Sequence, residues 1–202
     1  MTIDYLAKYR RMLALAESGL AYAKDPFDIE RYEEIKKIVE LLMSANTEVP
    51  LATIEKYVAL DQGYATPKAE VRAFIRRGQE VLLVQDHATQ LWSLPGGFAD
   101  IGYSPSENAA KEVFEETGLK VKVDGLIALY DTEKRPDIPQ IYQFYKMIFA
   151  CTPESGSFKE NNETDQVKYF TLDNLPPLSL NRTTSEQLKY LFNVKIKPLV
   201  ID

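Results

Sequence analysis

A change of period at Asp61-Gln62-Gly63-Tyr64-Ala65-Thr66-Pro67 constrains this chain more than any other feature. Before it, apolar residues recur every three or four positions, the spacing of one helix face. After it they alternate or run together, as in strands. Leu6, Tyr9, Leu13, Ala16 and Leu20 form a first stripe. Asp25-Pro26 reads as an N-cap followed by proline at the first helical position. It opens a second helix whose stripe is Tyr32, Ile35, Val39 and Leu42, with Ile38 beside it. A third helix is predicted from about Leu51 to Leu60. Three such helices make a marginal core on their own, so they are expected to pack on the rest of the chain or on a second subunit. The boundary falls in the Gly/Pro stretch, giving a helical extension over residues 1–66 and a second domain over 67–202.

In the second domain Val71, Ala73 and Ile75 alternate, Gly78-Gln79 turns the chain, and Val81-Leu82-Leu83-Val84 reads as a more buried strand. Leu126 to Tyr130, Tyr142 to Cys151 and Val167 to Thr171 are further strands. Helices are predicted over Ser104 to Thr117 and near Thr184 to Phe192. The reading is an α+β fold: a mixed sheet between two helical layers, preceded by a small all-helical domain.

Composition narrows the chemistry. The chain of 202 residues carries 30 acidic against 24 basic side chains, a net charge of −6. Duplex nucleic acid is therefore not the expected partner, because affinity for it comes largely from Lys and Arg on phosphates. An acidic protein can still handle a phosphorylated small molecule if cations bridge the two. No apolar run approaches the ~18 residues of a membrane span. Met12-Leu13-Ala14-Leu15-Ala16 is interrupted as a signal segment by Asp4, Arg10, Arg11 and Glu17, so the expected compartment is the cytoplasm. Cys151 has no disulfide partner, and His87 is the only histidine, which sets aside histidine-based metal sites. His87 reads as a loop residue, Cys151 as a buried inert thiol and Trp92 as core.

Three of the nine glycines fall in Leu94-Pro95-Gly96-Gly97-Phe98-Ala99-Asp100-Ile101-Gly102. Adjacent glycines after a strand permit close approach of a ligand to the main chain. Ser104-Pro105-Ser106-Glu107 follows as a capping box, and Gly118 stops the helix. Within that helix Glu112, Glu115 and Glu116 span about 100° of arc, with the outer two about 6 Å apart along the axis. They repel one another and lie toward the negative end of the helix dipole. An acidic surface face would account for three glutamates on an arbitrary helix, but here a bound Mg²⁺ (or Mn²⁺) would relieve both penalties.

The segment from Gly97 to Leu119, GFADIGYSPSENAAKEVFEETGL, resembles the box of the Nudix family, G-x5-E-x7-R-E-U-x-E-E-x-G-U with U a bulky aliphatic residue. Gly97, Glu112, Val113, Glu115, Glu116, Gly118 and Leu119 match. Tyr103 stands at the first Glu of the pattern and Lys111 at its Arg, positions that generally help orient the loop and helix. Residues 69 to about 193 read like a complete Nudix domain. The stretch from Tyr22 to Tyr32 is similar to the helical extension of a bacterial subgroup containing CDP-choline pyrophosphatases and ADP-ribose pyrophosphatase-like proteins.

The resemblance implies divalent-metal-dependent hydrolysis of the pyrophosphate bond in a nucleoside diphosphate linked to another moiety, giving two monophosphates. CDP-choline-like compounds rank first as substrate and ADP-ribose second. It makes Glu112 and Glu116 metal ligands, Glu115 a further ligand or a catalytic partner of the metal's water, and the Gly96 carbonyl the remaining protein ligand. Gly97 lets the loop fold against the metal. Glu163, in the loop before Val167-Lys168-Tyr169-Phe170, is the candidate general base, with Asp165 its main competitor and Glu160 a weaker one. Arg72 is a candidate phosphate contact, or else a surface strand residue. Phe98 and Tyr103 are candidates for lining the substrate pocket, with core packing the other role for Phe98. The rival class is a non-catalytic Nudix-like nucleotide sensor with the extension as an interaction module. Residues 1–66 carry 8 basic against 11 acidic side chains, which makes that segment a poor DNA reader. A homodimer with the extension at or near its interface is expected.

Overall fold

The computed structural model describes residues 5–59, 63–135 and 140–194. The chain divides into two units, Met1–Pro67 with Arg135–Gln143, and Lys68–Lys134 with the chain from Phe144 onward. No helix among the described residues is long and apolar enough to cross a membrane.

The first unit holds α1 (Tyr5–Tyr22), α2 (Pro26–Asn46) and α3 (Leu51–Ala59). Asp25 caps α2, its Oδ1 accepting the Phe27 N–H at 2.8 Å, with Pro26 in the first turn. Val39, Met43, Ile54 and Val58 form the core, with Leu6, Tyr9, Leu13, Val49 and Ile141 packed against it. Gly19 lets α1 meet α2 closely, since a Cβ there would lie 2.4 Å from the Tyr32 ring. One expectation is corrected. The inward line of α2 runs through Tyr32, Val39 and Met43, whereas Ile35, Ile38 and Leu42 are exposed. The helix is apolar over a wider arc than α1 and α3 cover, and periodicity alone does not choose between its two lines.

The second unit carries β1 (Lys68–Arg77), β2 (Glu80–Asp86), β3 (Trp92–Ser93), α4 (Pro105–Thr117), β4 (Leu119–Asp131), β5 (Phe144–Gly156), β6 (Thr164–Thr171) and α5 (Ser185–Asn193). The strand order is β3-β2-β1-β5-β4, with β6 along β2. Among the described strand pairs β1 and β5 run parallel, Val71 facing Met147 and Ala73 facing Phe149, and the others antiparallel, so the sheet is mixed. Val71, Ala73 and Ile75 pack with Ala109 and Val113 of α4. Phe74 on the other face packs with Leu188 and Leu191 of α5. Successive strand residues point to opposite faces, so the two helices cover the two sides of the sheet as expected. From Glu70 to Ile75 β1 is buried on both faces, because it lies inside the sheet with α4 packed on one side and α5 on the other. Its even-numbered residues Glu70 and Arg72, which alternation would place outside, are buried too. The two-residue β3 is too short to leave a period in the sequence.

Candidate active site

The glycine loop is built against β1. The Ala73 N–H donates to Pro95 O at 2.8 Å, Val71 to Gly97 O at 2.9 Å, and Ala99 to Ala69 O at 3.0 Å. Gly96 sits at φ 142°, and a Cβ there would lie 2.1 Å from the Val71 carbonyl oxygen. Only glycine fits that contact. The Pro95 and Gly97 carbonyls are taken up by β1, while that of Gly96 accepts no hydrogen bond among the described residues. The predicted capping box is formed: Ser104 Oγ accepts the Glu107 N–H, and Glu107 accepts the Ser104 N–H at 2.8 Å. Gly118 ends α4 in the left-handed region at φ 69°.

Of the three glutamates, two are drawn to the loop. Glu112 lies against Gly97 so closely that a Cβ there would be 2.6 Å from Oε2. Burial raises its pKa against the pull of Lys111. Glu116 accepts the Gly96 N–H at 2.8 Å, and burial lifts its carboxyl to about 7 although the Arg72 guanidinium opposes this. Glu115 is half-exposed and turned to Lys111, 2.7 Å away. Lys111 also reaches Asp100 at 3.2 Å, and its hydrogen bonds to Glu115 and Asp100 raise its pKa. No trio of acidic, histidine or cysteine side chains among the described residues forms a ready-made metal cluster. The donors that do converge, two desolvated carboxylates beside an uncommitted backbone carbonyl, are all oxygen. They suit a hard divalent cation, whose charge would offset the cost of burying the carboxylates.

Arg72 differs from both expectations for it. It is 4% exposed, its Nε donates to Glu70 at 2.6 Å and its Nη1 to the Leu94 carbonyl at 3.0 Å. The guanidinium thus holds the lead-in to the glycine loop and is not an open, bidentate phosphate donor. Lys146 shares this buried network: Nζ donates to the Asn181 and Arg182 carbonyls and lies 3.6 Å from Glu70. Burial pulls its pKa down to about 8. The Leu94 N–H is held in turn by Thr183 Oγ1 at 2.9 Å. Phe98 is exposed and not core, with its ring 5.8 Å from that of Phe144, and Tyr103 is exposed as well.

The Glu163 loop is fixed through its backbone. Asn161 Nδ2 donates to the Glu115 and Glu116 carbonyls at the end of α4, Asn161 Oδ1 accepts the Glu163 N–H, and Glu163 O accepts the His87 N–H. The Glu163 carboxylate is exposed and makes no hydrogen bond or ion pair among the described residues. Its competitor Asp165 is engaged, 2.6 Å from His87 Nδ1 and accepting from Gln90 Nε2 at 2.6 Å. The hydrogen bond to Asp165 raises the His87 pKa. Cys151 is buried, which pushes its thiol up to about 12. Asn161, Thr183, Lys146 and Asn108 were not singled out from sequence. Asn108 lies in the first turn of α4, where asparagine is common, so the sequence carried no signal for it.

A loop backbone folded against desolvated carboxylates on a capped helix is suited to holding a hard cation, and comparison with known proteins shows the class of protein that carries it. The NUDIX domain pattern matches residues 66–191, and a UDP-X-like, N-terminal oligomerisation domain matches residues 4–58. The chain belongs to the Nudix family and is a Nudix pyrophosphohydrolase. It is 41% identical to YjhB of Bacillus subtilis (strain 168), a candidate ADP-ribose pyrophosphatase, over 94% of this chain and 91% of that one. The crystal structure of a UDP-X diphosphatase matches at 38% identity and a TM-score of 0.62, covering 94% of this chain and 92% of that one. An ADP-ribose pyrophosphatase from Streptococcus suis 89-1591 matches at 40% identity and a TM-score of 0.57, over 62% of this chain and 90% of that one.

Proposed function

We propose that the enzyme hydrolyses the pyrophosphate bond of a nucleoside diphosphate linked to a second moiety, with a divalent cation held by Glu112, Glu116 and the Gly96 carbonyl. The observation that carries this reading is the convergence of two desolvated carboxylates on the Gly96–Gly97 turn. The cation, when bound, neutralises phosphate charge and polarises the anhydride. Glu116 is kept in place by the Gly96 N–H and Glu112 by its seat on Gly97. Glu163, on a loop anchored to the end of α4, takes a proton from the attacking water as the new P–O bond forms and the bridging P–O bond breaks. Glu115, paired with Lys111, stands by as a further ligand. Phe98 and Tyr103 offer exposed rings next to the loop for the nucleoside or leaving group. The names of the relatives support ADP-ribose and UDP-linked compounds ahead of the CDP-alcohols that the family resemblance ranked first. Purified enzyme should release monophosphates from one of these with Mg²⁺ or Mn²⁺, and Glu116→Gln should abolish most of the turnover while preserving the fold. Turnover that persists in excess chelator would remove the cation from the reading.

The exposed apolar line of α2, with Ile38 48% and Leu41 55% exposed, supports a homodimer formed through the helical extension. The match to an oligomerisation domain over the same residues favours this face over any in the catalytic unit.

A further inference from the structure

The family pattern ties its glycine loop to the helix at a Glu and an Arg, and this chain has Tyr103 and Lys111 there. The Tyr103 side chain is exposed and makes no polar contact among the described residues, so the tie is not made at that position. The structure assigns it to Asn108, a positioning residue that holds the 97–104 loop on α4, with the Asp100–Lys111 ion pair as its second point of attachment. This rests on the reading of Glu112 and Glu116 as the metal ligands.

Asn108 is 1% exposed. Its Oδ1 accepts the Asp100 N–H at 2.9 Å, and its Nδ2 faces three carbonyls, Asp100 at 3.2 Å, Tyr103 at 3.3 Å and Ser104 at 3.2 Å. A backbone donor on one side and three acceptors on the other permit only this orientation of the amide. One buried side chain thus gathers the backbone polar groups of a turn that has no regular structure to satisfy them. Leucine or alanine at 108 would take this partner from the Asp100 N–H and from the Asp100 and Tyr103 carbonyls, while the Ser104 carbonyl would keep the backbone N–H of residue 108 at 2.9 Å. Asn108, Lys111, Glu112 and Glu115 follow one another at intervals of three, one and three along α4, which places them on one side of the helix. The loop held by Asn108 is continuous with Gly97, on which Glu112 rests, so slack at Asp100 is transmitted to the seat of a metal ligand. Lys111 adds a link between Asp100 and Glu115, pinning the loop to the same face.

The test combines hydrogen exchange in metal-free protein with Mn²⁺ binding followed by electron paramagnetic resonance. Asn108→Ala should abolish protection of the Asp100 amide and weaken Mn²⁺ binding ~10- to 100-fold, the scale for losing a partner that orients a ligand. kcat should fall with it while KM changes less. Restoring the family pair in that background, Tyr103→Glu with Lys111→Arg, should recover loop protection and Mn²⁺ affinity, which a merely structural defect would not. Asp100→Ala alters an exposed side chain and keeps the test open if Asn108→Ala does not fold; it should weaken Mn²⁺ binding several-fold, less than the loss of Asn108. Unchanged Mn²⁺ affinity in folded Asn108→Ala, or in Asp100→Ala, would overturn the assignment. Failure of the wild type to bind Mn²⁺ would instead refute the metal reading, and the exchange data would still judge the loop.

Discussion

Gly97→Ala separates the position of Glu112 from the integrity of the fold. Gly97 does not lie at a positive φ, so alanine can adopt its backbone without strain. The three atoms nearest the new methyl all belong to the Glu112 carboxyl group, Oε2 at 2.6 Å, the carboxyl carbon at 3.1 Å and Oε1 at 3.3 Å. The carboxylate must retreat by about 0.8 Å to reach ordinary contact, which its flexible side chain can do at little cost. Loss of chain entropy in the unfolded state favours alanine by ~0.4–1 kcal/mol, so the melting temperature should hold or rise slightly. A misplacement approaching 1 Å at a reacting centre costs ~10²-fold in rate, about 2.7 kcal/mol. The assay is monophosphate release from the best substrate with titrated Mn²⁺, alongside a thermal melt. The control is Gly96→Ala. There a Cβ would meet the Val71 backbone oxygen at 2.1 Å with φ at 142°, so the fold itself should lose ~3 kcal/mol or more. If folded Gly97→Ala keeps wild-type kcat and Mn²⁺ dependence, Glu112 is not a group whose position matters, and its role as a ligand fails.

Glu163→Gln should lower kcat by ~10²–10⁴-fold with little change in Mn²⁺ affinity; near wild-type kcat would return the role of base to Glu115. Burial lifts Glu116 from its ordinary 4.5 to about 7, so the folded metal-free state binds the proton more tightly than the unfolded one. Its contribution to stability is therefore favourable at low pH and lost as pH rises from 4.5 to 7. Melts in chelator should show Glu116→Gln removing part of that slope, and identical slopes would contradict the burial of a charged carboxylate there. Ile38→Glu with Leu41→Glu should convert a dimer to monomer by light scattering without unfolding the catalytic unit; a dimer that survives both changes would place the interface elsewhere.

The elements that were legible in the sequence are those specified by neighbours in the chain. Asp25-Pro26 and Ser104-Pro105-Ser106-Glu107 start helices because cap, proline and reciprocal acceptor lie within one turn, and the structure forms both. The pairing of β1 with β5 sets Glu70 beside Lys146, 76 positions away, and no local pattern announces it. That pairing decides that Arg72 is buried and holds Leu94, although a strand of alternating apolar residues suggests a polar outer face. The two apolar lines of α2 present the same limit in a helix, since period gives the lines but only the neighbouring helices select one.

The glutamates of α4 show where a motif stops being informative. Spacing puts Glu112, Glu115 and Glu116 within the same arc and treats them alike. What distinguishes them is lateral: Gly97 gives Glu112 a place to rest, the Gly96 N–H holds Glu116, and Lys111 draws Glu115 away. A lysine at 111 keeps the charge of the family's arginine but is a flexible point donor without a planar fork, so it pins the Asp100 side chain to the face of Glu115 without holding the backbone of the turn. The turn's backbone is held by Asn108, whose amide satisfies main-chain groups, the Tyr103 carbonyl among them, that the Tyr103 and Lys111 side chains do not bond. The chain therefore departs from the family pattern at the two ends of the tie and supplies its middle from a residue the pattern leaves unspecified.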